Sequence, residues 1–531
     1  MKTPGSRRFP LSTTYYLLPS FPCRNISVVF VLSVSFAAWA LFAVALPASA
    51  QIAEGPQTPL GYLEGMVKDP KTANATVGTL QTTEDPALVG LLETMTRSAD
   101  EERRLFGVAT LTGLEGKKAA NVLIERVNYD PSMPIRAEAL ARLIALDALT
   151  PEQLAGALKI PDDSVQSITC RALVEKGKAD LALPVLTKLA DSKEEVTAAL
   201  CRTCLLGLGK TQYLDGLRRV MRDPATQPRM LGALLGQIRR QKISSAASLA
   251  LEVANNETAP LALRVLAHET VAEVSSSGSA SLNEALAKTN NLALRVRLLG
   301  ALSSRDDGGP YLAKLAGGTD TIGVLAKFEM ARKTGGATAG PSVRAAIALE
   351  HPIALAYVLD RAGQDANTLG AKADFYTPAL LEFIRSVEPR PREMQKEHFL
   401  AAGATEQLVR IGTPEAIAGL RAILAEKSSA ITRSVAAGLL RARKPETAEL
   451  MRPLLQSPYD ELVVDAALML GHFGDPAARP KLQTILSQAD SHPPALVILA
   501  SWYILKIDKK TDQAVAALAK LIKPLPPPPS Q

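Results

Sequence analysis

Cys201-Arg-Thr-Cys204 sets two thiols in C-x-x-C order, the spacing of redox pairs and of half a zinc site. Redox chemistry at such a pair needs a strand before it, and a structural zinc site needs two further ligands. Here the motif lies in the apolar helical pattern of Val196 to Leu208, with no second Cys or His pair nearby. The thiols Cys170, Cys201 and Cys204 are therefore read as small buried residues of a helix interface. Gly209-Lys210-Thr211 resembles the end of a phosphate-binding loop, but Cys204 stands where that loop needs a Gly. Gly207 and Gly209 are read instead as helix terminators.

His268, His351, His398, His472 and His492 are widely spread and form no paired-ligand pattern. No G-x-S-x-G elbow occurs, and the Ser275 to Ser281 run reads as a loop between helices. Acidic residues read as dispersed on solvent-facing positions. We therefore expect no catalytic residue, no metal site and no cofactor.

Charge gives the one concentrated signal. Lys210, Arg218, Arg219, Arg222, Arg229, Arg239, Arg240 and Lys242 meet only Asp215 and Asp223 between residues 210 and 242, a local excess of +6. In a stack of repeats that sets second helices side by side on the concave surface, Arg218, Arg219 and Arg222 would join bases of the next unit into one patch for an acidic protein segment, an anionic envelope polymer or lipid headgroups. The candidate partner-binding residues are Arg218, Arg219, Arg222, Arg229, Arg239, Arg240 and Lys242.

The formal charge of the whole chain, +7, does not extend this to nucleic acid. Lys2, Arg7, Arg8 and Arg24 contribute four of the 60 bases, and no acid precedes Ala50, so the remainder carries 56 bases against 53 acids. A polyanion-binding protein would keep a larger excess. The same four bases precede an uncharged run from Ile26 to Leu46, which Pro47-Ala-Ser-Ala50 follows. That order is a secretory signal with cleavage after Ala50, and it predicts a periplasmic or secreted protein beginning at Gln51. The run is also long enough to span a bilayer, so retention as an anchor is the alternative and the only route to the membrane.

The elements around these residues are helical throughout. From residue 99 onward, apolar residues recur at helical spacing in stretches several turns long, broken by Gly, Asp, Asn, Ser and Pro. Aromatics are only 4% of the chain, too few for a thick core and enough for thin helical layers filled with Ala, Leu, Ile and Val. Asp163 to Leu173 aligns with Glu194 to Cys204, which sets Cys170 on Cys201, one repeat further along. A similar offset relates Leu263-Arg264 to Val296-Arg297, and relates helices starting near Ile431, Leu462 and Ala495. The expectation is an all-α fold, an α-solenoid superhelix of stacked antiparallel helix pairs.

Val463-Val-Asp-Ala-Ala-Leu-Met-Leu-Gly-His-Phe-Gly-Asp-Pro-Ala-Ala-Arg-Pro-Lys-Leu-Gln-Thr-Ile-Leu486 resembles a HEAT repeat of the short bacterial type shared with phycobilisome lyase-like proteins. Gly474-Asp475-Pro476 matches that family's turn between helices. The hydrophobic-Arg pair early in its first helix is matched by Ile135-Arg136, Leu263-Arg264 and Val296-Arg297, whereas Val464 replaces the Arg in this repeat. The departure puts an inter-repeat polar ladder there in question.

The expected organisation is a signal over 1–50, a lead-in with a first helix over 51–98 and HEAT-like repeats over 99–333. An irregular helical segment over 334–412, further repeats over 413–520 and a Pro-rich tail over 521–531 follow. The function expected is a non-catalytic protein-interaction scaffold. A lyase or isomerase, or a chromophore binder, is the alternative that the resemblance implies, and an anionic-surface binder is the alternative from the arginines.

Overall fold

A computed structural model describes residues 58–69, 72–387, 395–426 and 429–525. The expected secretory signal and cleavage site, and the end of the Pro-rich tail, lie outside the described residues. The described chain is all-α, with helices in antiparallel pairs, and its single β feature is an isolated bridge between Ser98 and Pro524. It divides into two compact units, one of Leu92–Leu205 with the described start of Lys523–Gln531, the other of Leu206–Ile522 with the segment before Leu92.

In the first unit the helices Glu101–Glu115, Met133–Ala145 and Asp163–Glu175 stack on one another, and Ala120–Tyr129, Pro151–Ala157 and Ala179–Leu189 are their antiparallel partners. Local chemistry marks each start. Thr150 and Gln153 form a capping box around Pro151, and the Val165 amide donates to Asp162 Oδ1 at 2.8 Å. The described start of the tail is held here: the Ala99 amide donates to the Lys523 carbonyl and the Leu525 amide to the Arg97 carbonyl.

The second unit repeats the plan from Leu214–Arg222 to Thr511–Lys520. The helices Pro228–Arg240, Leu261–Val274, Leu292–Ser303 and Thr321–Thr334 form one row, and Gln395–Ile411, Ser429–Ala442, Asp460–His472 and Pro494–Ile507 another. Gly474 ends its helix at φ +73°, a conformation that favours glycine, and Asp475 then caps the turn that opens on Pro476. The core is aliphatic, and Trp502, Tyr376 and Phe328 are its largest fully buried side chains.

Three expectations change. The lead-in holds more helix than its composition suggests: Pro59–Lys68 and Ala73–Gln81 bury Leu63, Met66, Val77 and Leu80 and pack on Pro494–Ile507. Apolar surface on the last repeats gives these short helices the partner that propensity alone would not. The 334–412 stretch, expected as an irregular helical segment, holds the helices Ala339–Ile347, the 18-residue Pro352–Leu369, Thr377–Ser386 and Gln395–Ile411. The Ser275 to Ser281 run is mostly helix, because Gly278–Lys288 begins within it and buried Ser279 donates to Asp307 Oδ1 at 2.6 Å. Finally, the caps Pro260 and Asn291 start their helices at Leu261 and Leu292, so Leu263-Arg264 is in register with Leu294-Arg295, not with Val296-Arg297.

Candidate functional site

The arginines of the 210–242 window are divided between two helix layers. Arg218, Arg219 and Arg222 ride on Leu214–Arg222, the second helix of its pair, whereas Arg229, Arg239 and Arg240 ride on Pro228–Arg240, the first helix of the next. Lys242 follows in the turn at φ +52°. Arg219, Arg222, Arg229, Arg240 and Lys242 are exposed.

Acids from outside the window meet several of these bases. Arg222 makes a bidentate pair with Glu252, both contacts at 2.7 Å, and Arg239 Nη1 lies 2.9 Å from Glu269 Oε2. Arg218 pairs with Asp215 on its own helix. Arg222 holds the Glu252 carboxyl below its usual range, chiefly by hydrogen bonding. The next second helix, Ala247–Asn255, contributes Glu252 and no base. The expected joining of basic residues through that helix is therefore corrected: the acids sit one repeat downstream, where a count within the window misses them.

This bridging recurs. Arg433 meets Glu461 at 3.1 Å, Arg479 meets Asp508 at 2.6 Å and Arg452 meets Asp475 at 2.6 Å. Polar bridging thus continues through the repeat in which Val464 replaces the Arg. The Arg of the hydrophobic-Arg pair has a local task. Arg136 donates to the carbonyls of Val127 at 2.6 Å and Asn128 at 3.1 Å, and Arg264 donates to Ala254 at 3.2 Å, so each closes the open end of the preceding helix. Gln166 does the same for Leu158 and Ile160, both at 3.0 Å.

Acidic residues are not confined to solvent-facing positions. Glu329 is fully buried, 2.8 Å from both Arg332 and Arg361, and accepts from Ser303 and Tyr357 at 2.5 Å. Arg332 continues to Asp365 at 2.7 Å, which accepts from Tyr376 at 2.8 Å. Burial works against the Glu329 carboxylate, yet the charges of Arg361 and Arg332 hold it below the usual range. The network joins Leu292–Ser303, Thr321–Thr334 and Pro352–Leu369 to the turn before Thr377, so its charges serve to hold helices together. Sequence spacing gives no sign of it, since its members come from helices of unequal length.

The three thiols are buried and not joined in disulfides. Burial pushes Cys201 up to about 12 and raises Cys170 as well, so neither is a ready nucleophile at neutral pH. Among the described residues, no group of His, Cys, Asp and Glu is arranged to hold a metal ion, and no helix is long and apolar enough to cross a membrane.

Between repeats of the second unit lies a cleft of about 490 Å³ that includes Asn255, Glu257, Arg264, His268, Lys288 and Asn291. His268 is only 6% exposed. Its burial, aided by the charge of Arg264, lowers it to about 4. The sequence marks neither the cleft nor this histidine, because its walls come from separate repeats.

No protein-family model matches the chain, and no curated protein does. Solved structures similar to it are helical solenoids. One is the UNC-45 chaperone, whose structure concerns molecular features critical for binding and folding muscle myosin, at 14% identity over 86% of this chain and 68% of that one, with a TM-score of 0.31. Kap121p matches at 13% identity over 87% of this chain with a TM-score of 0.29, and Kap121p bound to Nup53p at 14% with a TM-score of 0.30. The chain spans about half the length of the Kap121p structures, 52% in each case.

Proposed function

We propose that this chain is an exported, non-catalytic scaffold that holds a protein partner along its stacked helix pairs. The observation that carries this reading is the division of labour within each repeat. Apolar side chains fill the layer between helices, ionisable groups such as Glu329, Arg332 and Asp365 tie neighbouring helices together, and the outer helix faces and turns are left polar and exposed. Successive repeats set such faces side by side, which suits an extended partner. The alternative of an anionic polymer or lipid surface held by the arginines is weakened by Glu252 and Glu269, which already take up Arg222 and Arg239.

The test is affinity capture from crosslinked cells, comparing the native chain with one carrying Gln at Arg218, Arg219, Arg222, Arg239 and Arg240. Specific partners recovered by the native chain support the scaffold, and their loss in the variant assigns them to the arginine-bearing helices. Repeated recovery of none counts against the scaffold. Export rests on the order of bases, apolar run and small residues before Gln51. N-terminal sequencing of the envelope-fraction protein is expected to begin at Gln51; a protein starting at Met1 there refutes cleavage.

A further inference from the structure

The sequence Leu261-Ala-Leu-Arg-Val265 recurs in the next repeat as Leu292-Ala-Leu-Arg-Val296. Both segments open first helices, so Arg264 and Arg295 are equivalent. Their surroundings differ. Arg295 Nη2 donates to Asp320 Oδ2 at 3.3 Å, and Asp320 is the N-cap of the next first helix, Thr321–Thr334. For Arg264 the corresponding N-cap is Asn291, a neutral amide whose Oδ1 accepts from the Leu294 amide at 3.0 Å. Arg264 gives its Nε to the Ala254 carbonyl, and among the described residues no carboxylate pairs with its guanidinium.

The Asn291 amide fills the place of the Asp320 carboxylate without its charge, so no carboxylate faces Arg264 where the cleft opens beside it. His268, one helical turn beyond Arg264, is on the cleft wall and more than nine-tenths buried. As a neutral imidazole it offers one N–H and one acceptor.

We propose that this cleft binds the carboxylate of an Asp or Glu side chain in an extended acidic peptide segment, seated on Arg264 and His268 beside Asn291 and supplying the charge that Asp320 supplies one repeat on. The proposal rests on the scaffold reading and names the chemistry of the partner. A guanidinium recognises a planar carboxylate through paired N–H groups. Asn255, Asn290 and Asn291 add amides matched to a peptide backbone. Glu257 on the wall, and Glu284, which pairs with Lys288 at 2.5 Å, disfavour a densely charged polymer.

The experiment measures fluorescence anisotropy of a labelled peptide of alternating Glu and Gly at low salt, with a peptide of alternating Lys and Gly as control and inorganic phosphate as competitor. The wild-type chain is expected to bind the Glu peptide saturably and the Lys peptide not at all. Arg264→Gln removes the cation. Asn291→Asp keeps a good N-cap, so the fold is retained, and supplies the missing carboxylate from within. Each variant is expected to weaken Glu-peptide binding about tenfold or more, the range for loss of one charge-assisted contact.

Unchanged binding in Asn291→Asp, or equal binding of the Lys peptide, overturns the assignment. Phosphate competing as well as the peptide identifies a plain anion site and overturns it too. A crosslinked partner still captured by Asn291→Asp refutes the cleft and leaves the scaffold standing, whereas a wild-type chain that captures none refutes the scaffold itself.

Discussion

At the scale of the residue, buried ionisable side chains set the energetics. Glu329 offsets two guanidiniums, so Glu329→Ala strands Arg332 and Arg361 in the interior. The expected cost is about 3 to 5 kcal/mol, read as a lower midpoint in urea. Replacing Glu329 and Arg361 together with Met removes the pair and is expected to cost less than the single change. His268 acts in the opposite electrostatic sense. Its folded pKa near 4 lies below the ordinary value of 6.5, so the unfolded chain takes up the proton first as the pH falls. Stability from this group is complete above pH 6.5 and declines toward pH 4, at about 1.4 kcal/mol per unit of pH within that window. His268→Gln is expected to flatten this limb when urea midpoints are compared at pH 7.5 and 4.5. An unchanged slope refutes the role. Neither Glu329 nor His268 announces itself in the sequence, where burial is not visible.

At the scale of the element, starts and turns are legible and close approaches are not. Pro151, Pro352, Pro414 and Pro494 each open a helix, and Gly474-Asp475-Pro476 makes the turn its order implies, because these residues act on their own backbone. Register is harder to read. The repeat partner of Arg264 is Arg295 rather than Arg297, as both the recurring Leu-Ala-Leu-Arg-Val and the caps at Pro260 and Asn291 place it. Gly438 shows the tertiary limit. A Cβ there would lie 2.5 Å from the Ala402 carbonyl on the neighbouring Gln395–Ile411. Gly438→Ala is expected to destabilise by about 1 to 3 kcal/mol in urea unfolding. Gly65→Ala, at a mid-helix site with nothing within 4 Å of the new Cβ, is expected to stabilise by up to about 1 kcal/mol. Equal effects of the two would contradict the packing of those helices.

At the scale of the whole molecule, the segment before Leu92 belongs with the end of the repeats of its unit. The helices Pro59–Lys68 and Ala73–Gln81 cover Pro494–Ile507, and the following turn is clamped by polar contacts. Trp502 Nε1 donates to Asp85 Oδ2 at 3.2 Å, Lys506 lies 3.6 Å from the same carboxylate, and Arg443 pairs with Glu84 and donates to the Thr82 carbonyl. Terminal repeats need such a cover, since an open end exposes the apolar face meant for a neighbour. Leu63→Asp, in a chain beginning at Gln51 where Trp502 is the only tryptophan, is expected to shift Trp502 emission to the red and to produce oligomers in light scattering. A monomer with unshifted emission would show that the cover is dispensable.

The sequence by itself determined the all-α class, the pairing of helices and the repeat length that sets Cys170 on Cys201. Those features follow from apolar periodicity and turn residues, which act within a few positions of themselves. Tertiary structure alone decided that Glu252 and Glu269 meet the arginines, that Glu329 is buried, and that an N-terminal segment caps the last repeats of its unit. It also left Arg264 without the carboxylate its counterpart has. Each of these depends on groups a repeat or more apart in the chain, where charge and burial are set by neighbours that the local pattern does not name.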